Sequence, residues 1–274
     1  LLKTVTITDL YSFIVYCKNE RSNGAAARAR KVSALRVFFK YLTNNIHLLK
    51  VNPAAELDTP KLKKSLPVHL SLEQSIDLLK SVDGPNKERD FCILTLFLNC
   101  GMRLSELCSL NYTDIREDSS LKITGKGNKE RIVPISGKAL KEINLWYIDR
   151  NLMTIKPGEE DYVFLNRRGA HLTRNMILIM IKNAAYDAGI KKTISPHTLR
   201  HSFATALLKG GADLRVIQAL LGHEDIGTTE IYTHLETSDL RRAILEHHPR
   251  NIKYSEENQV LDSDKTDKRC PNNR

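Results

Sequence analysis

Apolar residues recur at helical spacing along most of the chain, and alternating stretches are confined to its middle. Residues 9 to 20 and 25 to 43 carry apolar side chains at this spacing, mixed in the second stretch with arginines and lysines. An apolar stripe that returns about every 3.6 positions predicts an amphipathic helix. The pattern therefore predicts a small basic helical unit at the start of the chain.

The helical pattern stops between residues 51 and 68, where three prolines stand among several lysines. Proline removes a backbone donor and restricts the residue before it, so this composition is typical of a linker. We therefore expect an N-terminal helical domain at residues 1–50, a linker at 51–68 and a larger domain at 69–250. The polar and charged segment 251–274 predicts a disordered tail.

Capping signals mark several helices of the larger domain. Ser71 and Gln74 have the spacing of a capping box, and Ser195 followed by Pro196 is a second clear helix start. Gly222 is placed to end a later helix in the left-handed conformation. Helices are predicted at 71–81, 88–100, 137–150, 173–188, 195–210, 213–222, 228–232 and 239–246.

Two short apolar stretches, Leu121–Ile123 and Arg131–Ile135, flank a turn in which Lys126 has a glycine on each side. Short apolar runs separated by a glycine-rich turn predict a β-hairpin. A further short strand is predicted at Tyr162–Leu165. The expected fold is mainly α-helical with a small antiparallel β-sheet.

The 274-residue chain has a formal net charge of +10, which favours an anionic partner. Nucleic acid fits better than membrane, because the longest apolar runs, 91–98 and 176–181, are far below a spanning length and no signal peptide opens the chain. The five cysteines have no C-x-x-C spacing, which argues against a disulfide framework or a zinc site. We expect a soluble cytoplasmic protein.

Two arginines stand out as candidate phosphate ligands. A guanidinium forms paired hydrogen bonds to phosphate oxygens, which gain negative charge when a phosphodiester is attacked. Arg103 opens a short helix, and an ion pair with Glu106 is the equally weighted structural alternative. Arg200 lies three positions after His197 near a helix N-terminus, which favours a site; a polar cap and a solvated arginine are the alternative.

Neither a metal nor a cofactor is expected. His201 follows His197 by four positions, a spacing that can hold a metal on one helical face. We discount a metal, because Arg200 lies between these histidines and the glutamate of an H-E-x-x-H motif is absent. The turn at Lys126 lacks the pattern of a nucleotide-binding P-loop, and the alternative for this lysine is an ordinary solvated turn residue.

Tyr232 is the candidate nucleophile, nine positions after His223. A tyrosine hydroxyl has an ordinary pKa of about 10, so its use as a nucleophile requires a base or strong cationic support. The ordinary pKa of a histidine lies in the range that proton transfer needs, which makes His197 and His223 candidates for this role. The alternative for Tyr232 is a core residue with a bonded hydroxyl.

Five separated segments resemble the catalytic motifs of the tyrosine recombinases, the phage-integrase family, nearest to its Xer branch: Gly101–Leu107, the Lys126 turn, His197–Arg200, Leu221–His223 and Ile231–His234. The similarity covers about residues 70 to 250. It implies the family's catalytic domain, preceded by a partial core-binding domain that lacks at least one opening helix. It also implies a clamp around duplex DNA and a homo- or hetero-tetramer in which segment 239–250 docks on a neighbouring protomer.

The resemblance assigns a role to each candidate residue. Tyr232 would form a 3′-phosphotyrosyl link, Lys126 would protonate the leaving oxygen, and His197 would assist proton transfer. The remaining residues, Arg103, Arg200 and His223, would stabilise the transition state together with Lys126. The implied function is site-specific recombination without a small-molecule substrate, in Xer-like chromosome dimer resolution or in integration and excision of a mobile element.

Two other functions stay open as alternatives. One is a catalytically inactive DNA-binding accessory protein, against which the presence of all six candidate residues argues. The other is a type IB topoisomerase-like enzyme, whose product is relaxed DNA rather than exchanged strands.

Overall fold

Two separate cores organise the chain, one in each of two units, Leu1–Pro67 and Val68–Arg274. The structure, a computed structural model, describes residues 2–61, 68–222 and 237–249, apart from the side chains of Lys3, Lys126 and Thr237. Within these ranges, none of the helices combines the length and the apolar character needed to cross a membrane.

The first unit is built on two helices, α1 (Ile7–Asn19) and α2 (Ala25–Asn44), as the apolar spacing predicts. The stretch after α2, for which the sequence predicts a linker, adds Ala54 and Leu57 to the core, both with no exposed surface. The carbonyl of Leu57 also accepts a hydrogen bond from Arg36 at 2.6 Å. The packed part of this unit therefore extends past α2 to residue 57. Its other buried side chains are Leu10, Val32, Phe39 and Leu42.

The second unit contains the other described α-helices, and the predicted caps start several of them. The hydroxyl of Ser71 accepts from the backbone N–H of Gln74 at 3.1 Å, and that of Ser195 accepts from Thr198 at 3.2 Å. Both serines lie at the positions that the sequence predicts. The helices are α3 (Leu72–Lys80), α4 (Lys87–Cys100), α5 (Leu104–Cys108), α6 (Gly137–Asn151), α7 (Arg174–Asp187), α8 (Pro196–Lys209), α9 (Leu214–Leu221) and α10 (Thr237–His247).

Helix α4 is the centre of the second core. Every residue from Cys92 to Cys100 is buried, because α6 and α8 both pack against this helix. An apolar helix covered on more than one side loses little by having no polar face. The helix ends at Gly101, which adopts the left-handed conformation with φ of 58°. Burial of α4 therefore fixes the position of Gly101, next to which the candidate site begins.

A three-stranded antiparallel sheet lies in the same unit, in the order β1 (Ile115–Arg116), β2 (Ser120–Thr124) and β3 (Glu130–Pro134). Strands β2 and β3 form the predicted hairpin, with Ile123 opposite Arg131. The mainly helical fold with a small antiparallel sheet is thus confirmed. The strand predicted at Tyr162–Leu165 is wrong: this stretch forms isolated bridges, from Tyr162 to Asn111 and from Leu165 to His171.

Helix α10 packs on its own chain, against β3, α8 and α9. Ala243 and Ile244 are buried on this helix, and His248 just after it is 2% exposed. The Nε2 atom of His248 lies 3.0 Å from the carbonyl oxygen of Leu98 at the end of α4. Docking of segment 239–250 on a neighbouring protomer stays a prediction for the assembled state.

Candidate active site

Helix α5 places Arg103 beside Glu106. The backbone N–H of Arg103 donates to Oε2 of Glu106 at 2.7 Å, which closes the first turn as in a capping box. The guanidinium donates from Nη1 to Oε1 of Glu106 at 2.8 Å and from Nη2 to the carbonyl oxygen of Gly222 at 2.9 Å. The ion pair that the sequence offers as an alternative is therefore present. The same side chain nevertheless reaches the end of α9 and keeps 37% of its surface exposed.

Helix α8 supplies Arg200, which is 7% exposed and so is not the solvated residue that the sequence allows as an alternative. Its Nη1 donates to the carbonyl oxygen of Gly101 at 2.6 Å, and its Nη2 donates to that of Leu221. Arg103 and Arg200 therefore bind the carbonyls of Gly222 and Leu221, two consecutive residues at the end of α9. Residues that are 97 positions apart in the sequence meet at one point of the fold.

The carboxylate of Glu106 lies at the centre of this group, with its side chain 2% exposed. Besides Arg103, it pairs with Arg131 at 2.8 Å and lies 4.0 Å from Nη1 of Arg200. Burial by itself raises the pKa of this carboxyl, but the hydrogen bonds and charge of Arg131, with those of Arg103, outweigh it and lower the pKa to about 2. Glu106 is therefore ionised. We refer to Arg103, Glu106, Arg131 and Arg200 as the arginine cluster.

Strand β3 supplies Arg131, whose side chain is 11% exposed. Its Nη1 and Nη2 donate to Oε1 and Oε2 of Glu106, both at 2.8 Å, and its Nε donates to the carbonyl oxygen of Leu220 at 2.9 Å. Three of the five N–H groups of this guanidinium therefore bind the protein.

Two glycines allow the cluster to close. A Cβ atom at Gly101 would collide with the ring of Phe203 and would lie 3.0 Å from Cδ2 of Leu221, and φ of 58° disfavours a side chain there in any case. At Gly222, where φ is 63°, a Cβ would lie 3.0 Å from Cδ of Arg131. Both positions therefore need glycine for conformation and for space.

The cluster carries more positive than negative charge, since three guanidinium groups face one carboxylate. The repulsion between these cations affects Arg200. Burial, and then the charges of Arg103 and Arg131, lower the pKa of Arg200 to about 10, although the charge of Glu106 opposes this shift. A bound anion would relieve the repulsion. Arg103 is the exposed member, so an anion from solvent can reach the cluster there.

Lys126 lies in the turn between β2 and β3, and its side chain is outside the described part of the structure. In the backbone of this turn, Gly127 and Asn128 have φ of 73° and 59°, and the N–H of Gly125 donates to the carbonyl of Lys129 at 2.7 Å. The hairpin turn predicted around Lys126 is therefore present, and the role of its side chain remains a proposal.

His197 is the second residue of α8 and is exposed. Among the described residues, its side chain has no hydrogen bond to the arginine cluster. It lies close enough to His201 to affect it: burial, then the charges of His69 and His197, lower the pKa of His201. The rings of His69 and His201 stand edge to face with centroids 6.0 Å apart. The structure thus brings Arg103 and Arg200 together. His197 is exposed on the helix that carries Arg200.

His223 and Tyr232 lie outside the described residues, as does the helix predicted at 228–232. The structure describes the chain up to Gly222, the residue before His223, and Gly222 accepts the hydrogen bond from Arg103. Of the candidate site, the structure therefore describes the side chains of Arg103, Arg200 and His197.

Sequence reasoning missed the central position of Glu106 and the partner of Arg131. A signal for Arg131 exists in the strand pattern, because it is two residues from the fully buried Val133 and opposite the buried Ile123. An arginine on the buried face of a strand needs a carboxylate or carbonyl partner. Glu106, three positions from Arg103 and the one charged residue of α5, is such a partner.

Comparison with known proteins agrees with this geometry. The profile described as Phage integrase family matches residues 69–239. A tyrosine recombinase XerC from Caldanaerobacter subterraneus subsp. tengcongensis is 42% identical over 250 residues, which are 89% of this chain and 69% of the relative. A tyrosine recombinase XerD from Proteus mirabilis is 42% identical over 252 residues, 90% of this chain and 80% of the relative.

Solved structures give the same result. The XerH site-specific recombinase bound to palindromic difH substrate, in a post-cleavage complex, has a TM-score of 0.69 and 25% sequence identity. The match covers 89% of this chain and 73% of that one. The XerA recombinase has a TM-score of 0.54 and 29% identity, and the match covers 90% of this chain and 85% of that one.

Proposed function

The chain belongs to the phage integrase family and is a Xer-type tyrosine recombinase, an enzyme of site-specific DNA recombination, and from this premise we propose that it cleaves and rejoins duplex DNA through a covalent link between Tyr232 and a 3′-phosphate. The Tyr232 oxygen forms a bond to phosphorus while the bond from phosphorus to the 5′ oxygen breaks. Religation reverses the step. Because one phosphodiester replaces another, the exchange needs no energy from ATP.

We assign the proton transfers to Lys126 and His197. Lys126 gives a proton to the leaving 5′ oxygen, and His197 assists removal of the proton from the Tyr232 hydroxyl. The exposed position of His197 at the start of α8 is compatible with access to DNA. The hairpin turn at Lys126 is likewise at the surface, since nothing lies within 4 Å of the space that a Cβ at Gly127 would occupy.

We assign charge stabilisation to Arg103 and Arg200, with His223. The supporting observation is the arginine cluster, in which these two side chains meet on the carbonyls of Leu221 and Gly222, directly before His223. A pentavalent phosphorane carries more negative charge than the phosphodiester from which it forms. A preorganised excess of positive charge therefore favours the transition state over the ground state.

The proposed substrate is a pair of duplex DNA sites held in a tetramer of this chain, alone or with a related recombinase. The net charge of +10 supports binding to phosphates, and the likeness to XerH bound to difH supports a duplex recombination site. We further propose that residues 1–50 contribute to the grip on DNA, since α1 and α2 carry basic side chains such as Arg30 and Lys40 on exposed positions.

The test is a search for the covalent intermediate. A site recovered by selection from random duplex DNA, and located by footprinting, is nicked near the cleavage position so that the cleaved strand diffuses away. Wild-type protein should shift the labelled strand on a denaturing gel, and Tyr232→Phe should bind the duplex equally well without forming an adduct. An adduct that persists in Tyr232→Phe rules out this nucleophile.

The same assay separates the alternative functions. A wild-type protein that binds without forming an adduct is an accessory DNA-binding protein. An adduct together with relaxation of supercoiled plasmids that lack a paired site indicates a topoisomerase. Strand exchange between two sites indicates the proposed recombinase.

A further inference from the structure

Arg131 lies outside the set of residues to which the proposed function gives a role, yet its guanidinium binds two other elements of the site. It binds Glu106 on α5 through two hydrogen bonds and Leu220 at the end of α9 through a third. Its own strand, β3, forms one side of the hairpin that carries Lys126. Three elements of the site therefore meet at one side chain.

The hairpin also approaches the ion pair of Glu106 and Arg131 at Gly125. A Cβ atom at Gly125 would lie 3.7 Å from Oε1 of Glu106 and 3.8 Å from Nη1 of Arg131. Gly125 directly precedes Lys126, and its N–H closes the turn on Lys129. The base of the turn thus rests against the ion pair between Arg131 and Glu106.

The bonding of Arg131 is rigid in a way that only arginine provides. A planar guanidinium that holds both oxygens of a carboxylate cannot rotate, and the third bond from Nε fixes the plane itself. With Arg131 at 11% and Glu106 at 2% exposure, water competes weakly for these bonds. The distance between the hairpin and α5 is therefore set by a stiff connection.

We infer that Arg131 is a positioning residue for strand cleavage, which holds the hairpin of Lys126 at a fixed place relative to Arg103. The inference rests on the proposed function, because it acts through Lys126 as the general acid. Without Arg131, Glu106 keeps its bonds to Arg103, whereas the hairpin loses its three hydrogen bonds to Glu106 on α5 and to Leu220 at the end of α9. The proton donor is then displaced more than the phosphate clamp.

The test uses the chemistry of the leaving group. A nicked duplex is prepared with either oxygen or sulfur at the bridging 5′ position of the scissile phosphate. A 5′-thiolate leaves without a proton, so its departure does not need the general acid. Single-turnover cleavage rates on both substrates are measured for wild type, Arg131→Gln, Lys126→Ala and Arg89→Gln, together with duplex affinity and thermal stability.

A displaced proton donor costs on the order of 10²-fold in rate. We expect Arg131→Gln to lose about this factor on the oxygen substrate and less than a tenth of it on the sulfur substrate, with duplex affinity within about threefold of wild type. Arg131→Lys keeps the charge but not the three-point geometry, so it should show a smaller loss of the same kind. It also serves if Arg131→Gln folds poorly.

Arg89 is the matched control, since it is 8% exposed and bonds to Asp90 and to the carbonyl of Leu165, away from the cluster. Arg89→Gln should lower thermal stability and leave the ratio of oxygen to sulfur rates unchanged. Equal losses on the two substrates for Arg131→Gln, while Lys126→Ala is restored by sulfur, overturn the inference alone. If Lys126→Ala loses the same factor in rate on both substrates, Lys126 is not the general acid. The positioning role of Arg131, which acts through Lys126, is then overturned as well.

Discussion

Two of the buried arginine sites in the second unit, that of Arg150 and the arginine cluster, differ in their charge balance. Arg150 is 4% exposed, and its guanidinium donates to the carbonyls of Tyr162, at 3.0 and 2.8 Å, and of Glu160, at 2.5 Å. It lies 4.6 Å from the centre of the Tyr112 ring. This single cation is held by backbone oxygens and a ring. The arginine cluster instead has three cations around one carboxylate.

The difference separates a structural arginine from a functional one. The hydrogen-bond partners of Arg150 lie within 12 positions of it, so it fastens one loop to α6. The cluster joins α5, α8, β3 and the end of α9, and among the described residues its three guanidinium groups face one carboxylate. Burial of an arginine therefore carries no functional information by itself. Like charges brought together against their repulsion do carry it.

The largest expected effect is the loss of DNA cleavage activity in the Arg200→Ala variant. Loss of one preorganised cation at a developing oxyanion costs ~10³-fold in rate. Duplex affinity should change little by comparison, because Arg200 is buried and is one of 42 lysines and arginines in the chain. Single-turnover cleavage and a binding titration at the same salt concentration measure the two losses. Parallel losses in both would mean that Arg200 only docks DNA.

Next in size is the effect of Glu106→Gln on stability. Removing the carboxylate leaves three guanidinium groups without their counter-charge, and breaking a buried ion pair costs roughly 3 kcal/mol or more. Urea denaturation at neutral pH measures the loss. A variant as stable as wild type would show that the cluster does not depend on this carboxylate.

The pH dependence sharpens the same test. The pKa of Glu106 is lowered from 4.5 to about 2 in the folded protein, so its contribution to stability is complete above the ordinary value and is lost as the pH falls through it towards 2. Wild type should therefore lose more stability than Glu106→Gln between neutral pH and pH 3. Parallel acid denaturation curves would contradict this origin.

A smaller effect is expected from Arg150→Met, the counterpart on the other side of the comparison. The methionine leaves the carbonyls of Tyr162 and Glu160 without their donor, which costs about 2 kcal/mol. Cleavage per folded molecule should stay at the wild-type rate, since this site does not contact the cluster. A specific loss of cleavage in this variant would break the distinction between the two sites.

At the lower end, we expect that addition of EDTA does not change the rate of DNA cleavage. The cluster already supplies positive charge through guanidinium groups, and the proposed transesterification has no step that needs a further cation. Cleavage of the nicked duplex should proceed equally with and without chelator. Abolition by EDTA, reversed by a divalent metal, would require a cation that the proposal does not include.

Local signals account for most of the elements predicted from sequence. Ser71, Ser195 and the glycines at 101 and 222 act within one turn of their own helices, so their effect is visible in a short window. Tyr162–Leu165 failed because a strand exists only where a partner strand lies alongside it, and here the partners form single bridges. Pairing of this kind depends on distant chain.

The site divides in the same way. Sequence patterns identified Arg103 and Arg200 as candidates, but they presented the ion pair of Arg103 with Glu106 as an alternative to function. The structure shows one arrangement in which Glu106 holds Arg103 within reach of α9. The contacts of Arg131 with Glu106 and Leu220 span 25 and 89 positions, and a local pattern cannot encode them.

In the proposed mechanism, the arginine cluster neutralises charge on the scissile phosphate. This role is tested most directly with Arg103→Ala, which leaves the pair of Glu106 and Arg131 in place, on a duplex whose scissile phosphate is replaced by an uncharged methylphosphonate. We expect a loss of ~10³-fold relative to wild type on the phosphate and of less than about tenfold on the methylphosphonate, whose transition state carries one negative charge fewer. The same loss on both substrates would contradict it.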